Sequence, residues 1–470
     1  MIAVIATDKS LSYEIHSLVK AFYPKEDVKV YFASDDIPDD AKRLILPALP
    51  KERDPLKRAL YEYLSQKTNT TLPWGTLTGI RPTRIALAGL YAGKTKEEIR
   101  AQFQKEYFTG DEKIALSYDI AKREKTILDT IDVRDGYSLY IGIPFCPTTC
   151  AYCSFASYPL ARYASMTDDY VRALIKELYY VGEAFFDKEL HSIYIGGGTP
   201  TTLTPAQSDR LLTAIKERLN LIHLREFTVE CGRPDSMDAE KLKTLKQHGV
   251  TRVCVNPQTF KQETLDTIGR AHTVEETKKA FYLARESGFD HINMDLILGL
   301  PGETCDDVKR TMEEVVSLNP DDVTVHSLAV KRGSFLHRKL TEGEDFCRAD
   351  APEEMMKIAT AYAASIGCTP YYLYRQKNMT GNLENTGFAK EGKEGIYNIL
   401  INEEVESIAA LGAGAISKRI YYIEETDTNR LKSPFSVRIE RCENLKELSL
   451  YLQEVDGMIA RKKALFETEK

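Results

Sequence analysis

The chain has no run of about 18 consecutive apolar residues of the kind a bilayer span needs. Its opening text, MIAVIATDKSLSYEI, lacks a basic stretch leading into a long apolar one. Neither a membrane partner nor a secretory leader is expected, and the location this predicts is the cytoplasm. An excess of positive charge is missing as well: 63 Lys and Arg stand against 70 Asp and Glu, a net charge of −7. General attraction to nucleic-acid phosphates is thereby excluded, so no nucleic-acid partner is expected and only a local basic pocket remains open. No Gly-rich, Ser-rich or Pro-rich tract marks extended disorder. Nine cysteines are an odd number spread over a long chain, which argues against a disulfide framework and for reduced thiols.

What is present is 470 residues, 43% hydrophobic and 28% charged, enough for two or three packed units. Residues 1–130 read as an N-terminal α/β domain, with a strand at IAVIA, a helix through SYEIHSLVKAFY, a strand at VKVYFA and mostly helical text after it. Within it, LPWGTLTGIRPTRIAL places Arg81 and Arg84 among turn formers, as a helix entry or an anion contact. Residues 345–470 read as a mainly helical C-terminal domain covering the substrate, with a Tyr-rich, basic stretch at YYLYRQKN.

Between them, residues 137–340 alternate strands with amphipathic stretches of helical length, the pattern of βαβ units on a parallel sheet. The strand candidates are SLYIGIPF, HSIYIGG, EFTVEC, RVCVNPQ, INMDLILGL and DVTVHSLAV. Six units predict an α/β fold with a partial (β/α)6 TIM-like barrel. In such a barrel the βα loops converge at the C-terminal ends of the strands, which is where chemistry is expected. Each candidate strand ends in unusual text there: the cysteine cluster, GGGTPT, ECGRPDS, NPQTF, GLPGET and AVKRGS.

In YIGIPFCPTTCAYCSF, Cys146, Cys150 and Cys153 have the spacing C-x-x-x-C-x-x-C directly after a strand. One short loop can then wrap three thiolates around an inorganic [4Fe–4S] cube and leave one iron open. The alternatives are a zinc site, which ordinarily wants four closed ligands, or a chance grouping. The remaining cysteines, Cys231, Cys254, Cys305, Cys347, Cys368 and Cys442, are isolated in sequence and read as small apolar fillers. A molecule with an amino and a carboxylate group can chelate the open iron, and S-adenosylmethionine fits that need. One electron into its sulfonium cleaves a carbon–sulfur bond and yields a 5′-deoxyadenosyl radical able to take hydrogen from an unactivated carbon.

The run Gly196-Gly197-Gly198-Thr199-Pro200 lets backbone approach a ligand closely, or makes a tight strand-to-helix turn. Glu230, Gln258 and Asp295 put polar groups on strands expected to be apolar on both faces. Such residues need partners: Glu230 and Asp295 would meet nucleoside hydroxyls or join an internal hydrogen-bond or salt-bridge network. Arg270, in TIGRAHT, would bind a carboxylate or lie on a solvated helix end.

Assembled in this order, YIGIPFC, CAYC, GGGTPT, VE, Q-x-F, IGRAH and DLILGLPGET resemble the oxygen-independent coproporphyrinogen III oxidase (coproporphyrinogen dehydrogenase) family of radical S-adenosylmethionine proteins, from about Tyr140 to GAGAIS near residue 417. The N-terminal extension, LPWGTLTGIRPT and YLYRQKNMTGNLEN look like its HemZ-type branch. The resemblance implies that Tyr140, Gly197, Glu230 and Ile416 contact the S-adenosylmethionine on the cluster. It also implies that Tyr152, Gly198, Thr199, Gln258, Arg270, Asp295 and Ala329 match positions surrounding a second such molecule in the best-known branch. That decarboxylating branch carries a further cysteine two residues after the third ligand, and here the position is Phe155. The haem-chaperone branch lacks that cysteine but carries an HNxxYW segment absent from this chain.

By the same resemblance the expected activity is oxidative decarboxylation of coproporphyrinogen III in porphyrin biosynthesis, with an electron donor such as flavodoxin or ferredoxin as partner. Haem binding and delivery, or radical attack on haem, are the competing functions. Arg332, Arg375 and Lys377 are candidates for meeting substrate carboxylates, set against solvated surface charges.

Overall fold

The computed structural model describes residues 1–6, 9–24, 26–32, 35–78, 81–331, 333–341, 351–375, 383–422 and 437–467. Two compact units result: Met1–Lys122 with Arg375–Lys377, and Arg123–Tyr374 with Asn378–Lys470. In the first, strand β1 (Ile2–Ile5) lies between β2 (Val28–Tyr31) and β3 (Lys42–Ile45), all parallel. Helices Ser12–Phe22 and Arg53–Thr68 press Leu18, Val19, Leu60 and Leu64 into one buried cluster with Ile2 and Val4. Strand β3 was not foreseen, because three of its four residues are exposed and its KRLI text carries no apolar alternation. The segment with Arg81 and Arg84 is a helix entry, with Thr83–Tyr91 starting directly after Pro82.

The second unit is built on an eleven-stranded sheet. Its parallel part comprises β4 (Gly136–Ile143), β7 (Glu189–Gly197), β8 (Glu226–Glu230), β9 (Arg252–Cys254), β10 (Ile292–Leu298), β11 (Asp322–Ser327) and, on the far side of β4, β14 (Ser407–Leu411). Between β4 and β7 the short strands β5 (Phe145–Cys146) and β6 (Tyr158–Pro159) pair in parallel. Antiparallel strands extend both sides: β12 (Thr369–Tyr374) and β13 (Asn385–Ala389) beside β11, and β15 (Ile416–Tyr422) and β16 (Val437–Glu443) beside β14. The six expected strands are β4 and β7 to β11. Helices between them start at capping boxes, Thr204 with Gln207, Thr273 with Glu276 and Thr304 with Asp307, which satisfy N-terminal amides that no helical carbonyl can reach.

The described residues from 351 onward carry both strands and helices. All of them but Arg375 share a compact unit with the barrel, and they add five strands to its sheet. The first unit runs to Lys122 and takes in Arg375. A correction concerns the strand faces. Leu139, Ile141, Ile193, Ile195, Phe227, Val229 and Val253 join Leu174, Val181, Leu211 and Ile215 of the covering helices in one core, at about 1.5–3 kcal/mol for each large apolar side chain buried. The alternate positions, facing the barrel interior, are polar: Ser138, Ser192, Thr228, Arg252, Asn293, Asp322 and Thr324, all buried. The inner face therefore pairs polar groups with one another, as Arg252 does with Asp322 at 2.5 Å.

At the flank of β14, a buried ion pair fixes the chain after the strand. Lys462 Nζ lies 2.5 Å from Glu177 Oε1, and Glu177 also accepts from the Gly412 amide at 2.9 Å, Asn444 Nδ2 at 2.9 Å and Tyr451 O–H at 2.6 Å. Breaking such a pair leaves an uncompensated buried charge, so Lys462→Met is expected to lower stability by about 3–5 kcal/mol in urea unfolding at neutral pH.

Candidate functional site

The cysteine loop leaves β4 through Pro144 and β5, and its backbone is tied to the glycine turn that ends β7. Gly198 N–H donates to Ile143 O at 2.7 Å and Thr199 N–H to Phe145 O at 2.7 Å. So close an approach requires residues without a side chain. A Cβ on Gly198 would stand 2.6 Å from Phe145 O and 3.0 Å from Cys146 Sγ, and Gly197 has φ +104°. Beyond the turn, Thr199 Oγ1 lies 3.6 Å from Cys146 Sγ.

Two further loops hold the far side of the cysteine loop. Ala151 N–H donates to Ile268 O at 2.9 Å, and Thr148 Oγ1 to Gly269 O at 3.0 Å. Arg270 is buried, donating to Gly232 O at 2.7 Å, Asn256 O at 2.6 Å and Tyr152 O–H at 3.2 Å, which rules out the solvated helix end. Arg233, unremarked in the sequence, is buried as well. It grips Asp235 in a two-pronged ion pair and reaches Thr148 Oγ1 at 3.0 Å and Cys150 Sγ at 3.8 Å.

The three thiols lie near enough to influence one another electrostatically, although among the described residues no three His, Cys, Asp or Glu side chains are gathered to hold a single metal ion. A cube with iron at its corners takes donors spread more widely than one ion does. Burial pushes the Cys146 thiol up to about 11, against a smaller lowering by Thr199, and burial raises Cys153 too. Metal binding at these thiols must therefore displace protons. Thiol-only donors on one loop, opposite a turn that a single Cβ would block, fit an iron–sulfur cluster.

Strand register places the next group. Tyr140 pairs with Tyr194, Tyr194 with Thr228, and Gly142 with Gly196. One pleat beyond Thr228, Glu230 shares the inner face with these residues. The Tyr194 hydroxyl donates to Glu230 Oε1 at 2.5 Å, and the rings of Tyr140, Tyr194 and Tyr397 stack at 4.6–6.4 Å. Burial first, with the Asp295 charge adding to it, pushes the Glu230 carboxyl up to about 7 despite the Tyr194 hydrogen bond. Asp295 goes the other way: burial raises it, but nearby His326, 3.9 Å off, and Asn293, donating at 2.7 Å, leave it below its ordinary value.

Gln258 has φ +67°, unusual for a residue with a side chain, and its buried Oε1 has no hydrogen-bond partner among the described residues. Its backbone is clamped on both sides of β10, the amide donating to Asp295 O at 2.9 Å and the carbonyl accepting from Ile297 at 2.9 Å. Ala329 lies two residues beyond β11, and Ile416, exposed, opens β15. Both sit at strand ends, apart from the set joined by these hydrogen bonds. Of the carboxylate candidates, Arg332 and Lys377 lie outside the described residues. Arg375 is buried against the Trp74 ring and donates to the Leu77 carbonyl, so it is not a solvated surface charge. Cys231, Cys254 and Cys368 are buried, Cys305 and Cys442 half-buried, and Cys347 lies outside the described residues.

Tyr194 and Arg233 were missed. Tyr194 could have been found by its two-residue spacing from Gly196, which puts both on the inner face, whereas nothing local distinguishes a buried loop arginine from an exposed one.

Two outcomes follow from this geometry. Gly198→Ala is expected to cost about 1–3 kcal/mol through overpacking and to displace Cys146, so that iron and sulfide content after anaerobic reconstitution falls sharply. Glu230 has its carboxyl raised from 4.5 to about 7, so the folded ligand-free chain holds a proton there that the unfolded chain has released. Its contribution to stability is lost as pH rises between those values, and Glu230→Gln is expected to flatten the fall across that window in urea unfolding.

The Radical SAM superfamily model matches residues 140–315. The chain is 37% identical over 465 residues to the oxygen-independent coproporphyrinogen-III oxidase-like protein HemZ of Bacillus subtilis, spanning 97% of this chain and 90% of that one. It is 34% identical over 280 residues to the heme chaperone HemW of Bacillus subtilis, spanning 59% and 70%. In fold it is similar to coproporphyrinogen III oxidase (HemN) of Escherichia coli, a radical SAM enzyme, with a TM-score of 0.54 and 22% identity over 71% of this chain and 73% of that one. The cofactors of this superfamily are a [4Fe–4S] cluster and S-adenosylmethionine, and the chain's thiol loop fits the former. The chain belongs to the HemZ-type, oxygen-independent coproporphyrinogen-III oxidase-like family of radical S-adenosylmethionine proteins.

Proposed function

We propose that the chain catalyses oxidative decarboxylation of coproporphyrinogen III to protoporphyrinogen IX. Each of two propionate side chains would lose a β-hydrogen atom to a 5′-deoxyadenosyl radical, then carbon dioxide and one electron to a one-electron acceptor, and so become a vinyl group. The observation that carries this reading is the cysteine loop fastened to the glycine turn at the barrel mouth, in a chain that matches HemZ almost end to end. The bound cluster and S-adenosylmethionine supply one-electron cleavage of the sulfonium and hydrogen abstraction from an unactivated carbon.

Cys146, Cys150 and Cys153 hold the cluster. Tyr140, Gly197, Glu230 and Ile416 contact the S-adenosylmethionine on it, Glu230 accepting from nucleoside hydroxyls through the oxygen that Tyr194 leaves open. Tyr152, Gly198, Thr199, Gln258, Arg270, Asp295 and Ala329 surround a second molecule of the same kind or the substrate. The unpartnered Gln258 Oε1 supports a ligand there, since an empty buried acceptor is costly. A protein of the flavodoxin or ferredoxin class supplies the electron. A second reading, haem binding and delivery, is favoured by the similarity to HemW and by Phe155 in place of a fourth cysteine.

Cluster-reconstituted protein, incubated anaerobically with S-adenosylmethionine, dithionite and coproporphyrinogen III, is expected to form 5′-deoxyadenosine together with the divinyl product by mass analysis. Deoxyadenosine without vinyl product rejects this substrate, and a Soret band on haem titration would favour the second reading. Cys146→Ala, Cys150→Ala and Cys153→Ala are each expected to abolish deoxyadenosine formation; full cleavage by any one contradicts its assignment as a ligand.

A further inference from the structure

We propose that Arg233 is a positioning residue that sets the reduction potential of the cluster through Cys150, with Asp235 aiming its guanidinium. This rests on Cys150 as a cluster ligand. Arg233 follows β8 at the barrel mouth and is 4% exposed. Its Nε and one terminal nitrogen are taken by the Asp235 carboxylate at 2.9 and 2.8 Å. The other terminal nitrogen points away from Asp235, donating to Thr148 Oγ1 at 3.0 Å and standing 3.8 Å from Cys150 Sγ. Its backbone is pinned too, the Arg233 carbonyl accepting from Ser236 N–H at 3.0 Å and Ser236 Oγ at 2.7 Å. The fork thus presents one cationic edge to one sulfur and cannot swing to solvent.

One-electron reduction of [4Fe–4S]2+ to [4Fe–4S]+ by a reductant such as dithionite adds a negative charge shared with the ligating sulfurs. A guanidinium at a sulfur favours the more negative state and raises the potential, and its burial keeps water from screening the effect. The cysteines are not served alike. Cys146 faces the neutral hydroxyl of Thr199 at 3.6 Å, whereas Cys150 faces the free edge of a cation whose counter-ion lies on the opposite side. Lysine keeps that charge but not the two-pronged grip on Asp235.

The test is an EPR-monitored redox titration of the reconstituted full-length chain and three variants. With Arg233→Gln, the reduced-to-oxidised ratio at a fixed solution potential is expected to fall about tenfold, a shift of ~59 mV to the negative for one electron. Arg233→Lys is expected to recover part of that shift. Asp235→Asn, which keeps the cation and removes the anion beside it, is expected to move the potential upward. An unchanged potential in cluster-loaded Arg233→Gln overturns the proposal. If that variant does not load, an unchanged potential in Asp235→Asn overturns it, and loss of the cluster from all three variants assigns the pair to loop folding and overturns it as well. Failure of the wild-type chain to acquire cluster absorbance would sink the ligand assignment itself, a different result from a loaded protein with an unmoved potential.

Discussion

Two main-chain hydrogen bonds, Gly198 N–H to Ile143 O and Thr199 N–H to Phe145 O, are the constraint on which the mouth of the barrel depends. Through them the position of Cys146 is set by backbone rather than by side-chain packing. The bonds exist only because β4 and β7 are register-locked neighbours. That register is in turn set by the apolar outer face, since a slip of one residue would turn Leu139, Ile141, Ile193 and Ile195 into the polar interior. The same register puts Gly142, Gly196 and Glu230 in adjacent rows of one face. A hydrophobic pattern on the outside of the sheet thereby decides where a carboxylate sits on the inside.

Buried polar groups differ in how fully they are satisfied. At the foot, Glu406 is held by His191 at 2.6 Å and Ser138 at 2.7 Å, and Ser138 also bonds Ser192 at 2.7 Å. On the flank, both oxygens of Glu177 are occupied. At the mouth, Gln258 Oε1 and Arg270 Nε have no partner, and Glu230 is pushed up to about 7. Glu406 and Glu177 are saturated, as a costly incomplete network would require, whereas Arg252 Nε and Asp322 Oδ1 at the foot also lack a hydrogen-bond partner among the described residues. A ligand at the mouth would complete the open valences there.

The parallel core was legible in the sequence because its strands carry strong apolar text and each ends in glycine, proline or cysteine. The cysteine loop and GGGTP were legible for the same reason: both need particular residues at particular spacings. The added strands were not. SIAAL is composed of residues equally at home in a helix, and VRIERCE is half-exposed along its length, with little contrast between its faces. Pairing with a neighbour far away in sequence, β14 with β4, decides such segments, and local text does not contain it. Arg233 was hidden in a related way. Its chemistry comes from burial, which a loop arginine does not announce.

Phe155, where the decarboxylating branch has its extra cysteine, bears on what such a difference alters. Its ring is 69% exposed, with Lys331 Nζ 5.7 Å from the ring centroid, while its main-chain amide still hydrogen-bonds the Cys153 thiol. The role served by backbone survives whichever side chain stands at 155. The three thiols keep their loop, their turn and their donors. What changes is the surface beside them, where an aromatic face backed by a lysine replaces a thiol. The departure from the family pattern therefore falls on what approaches the mouth, and the cluster loop itself is left intact.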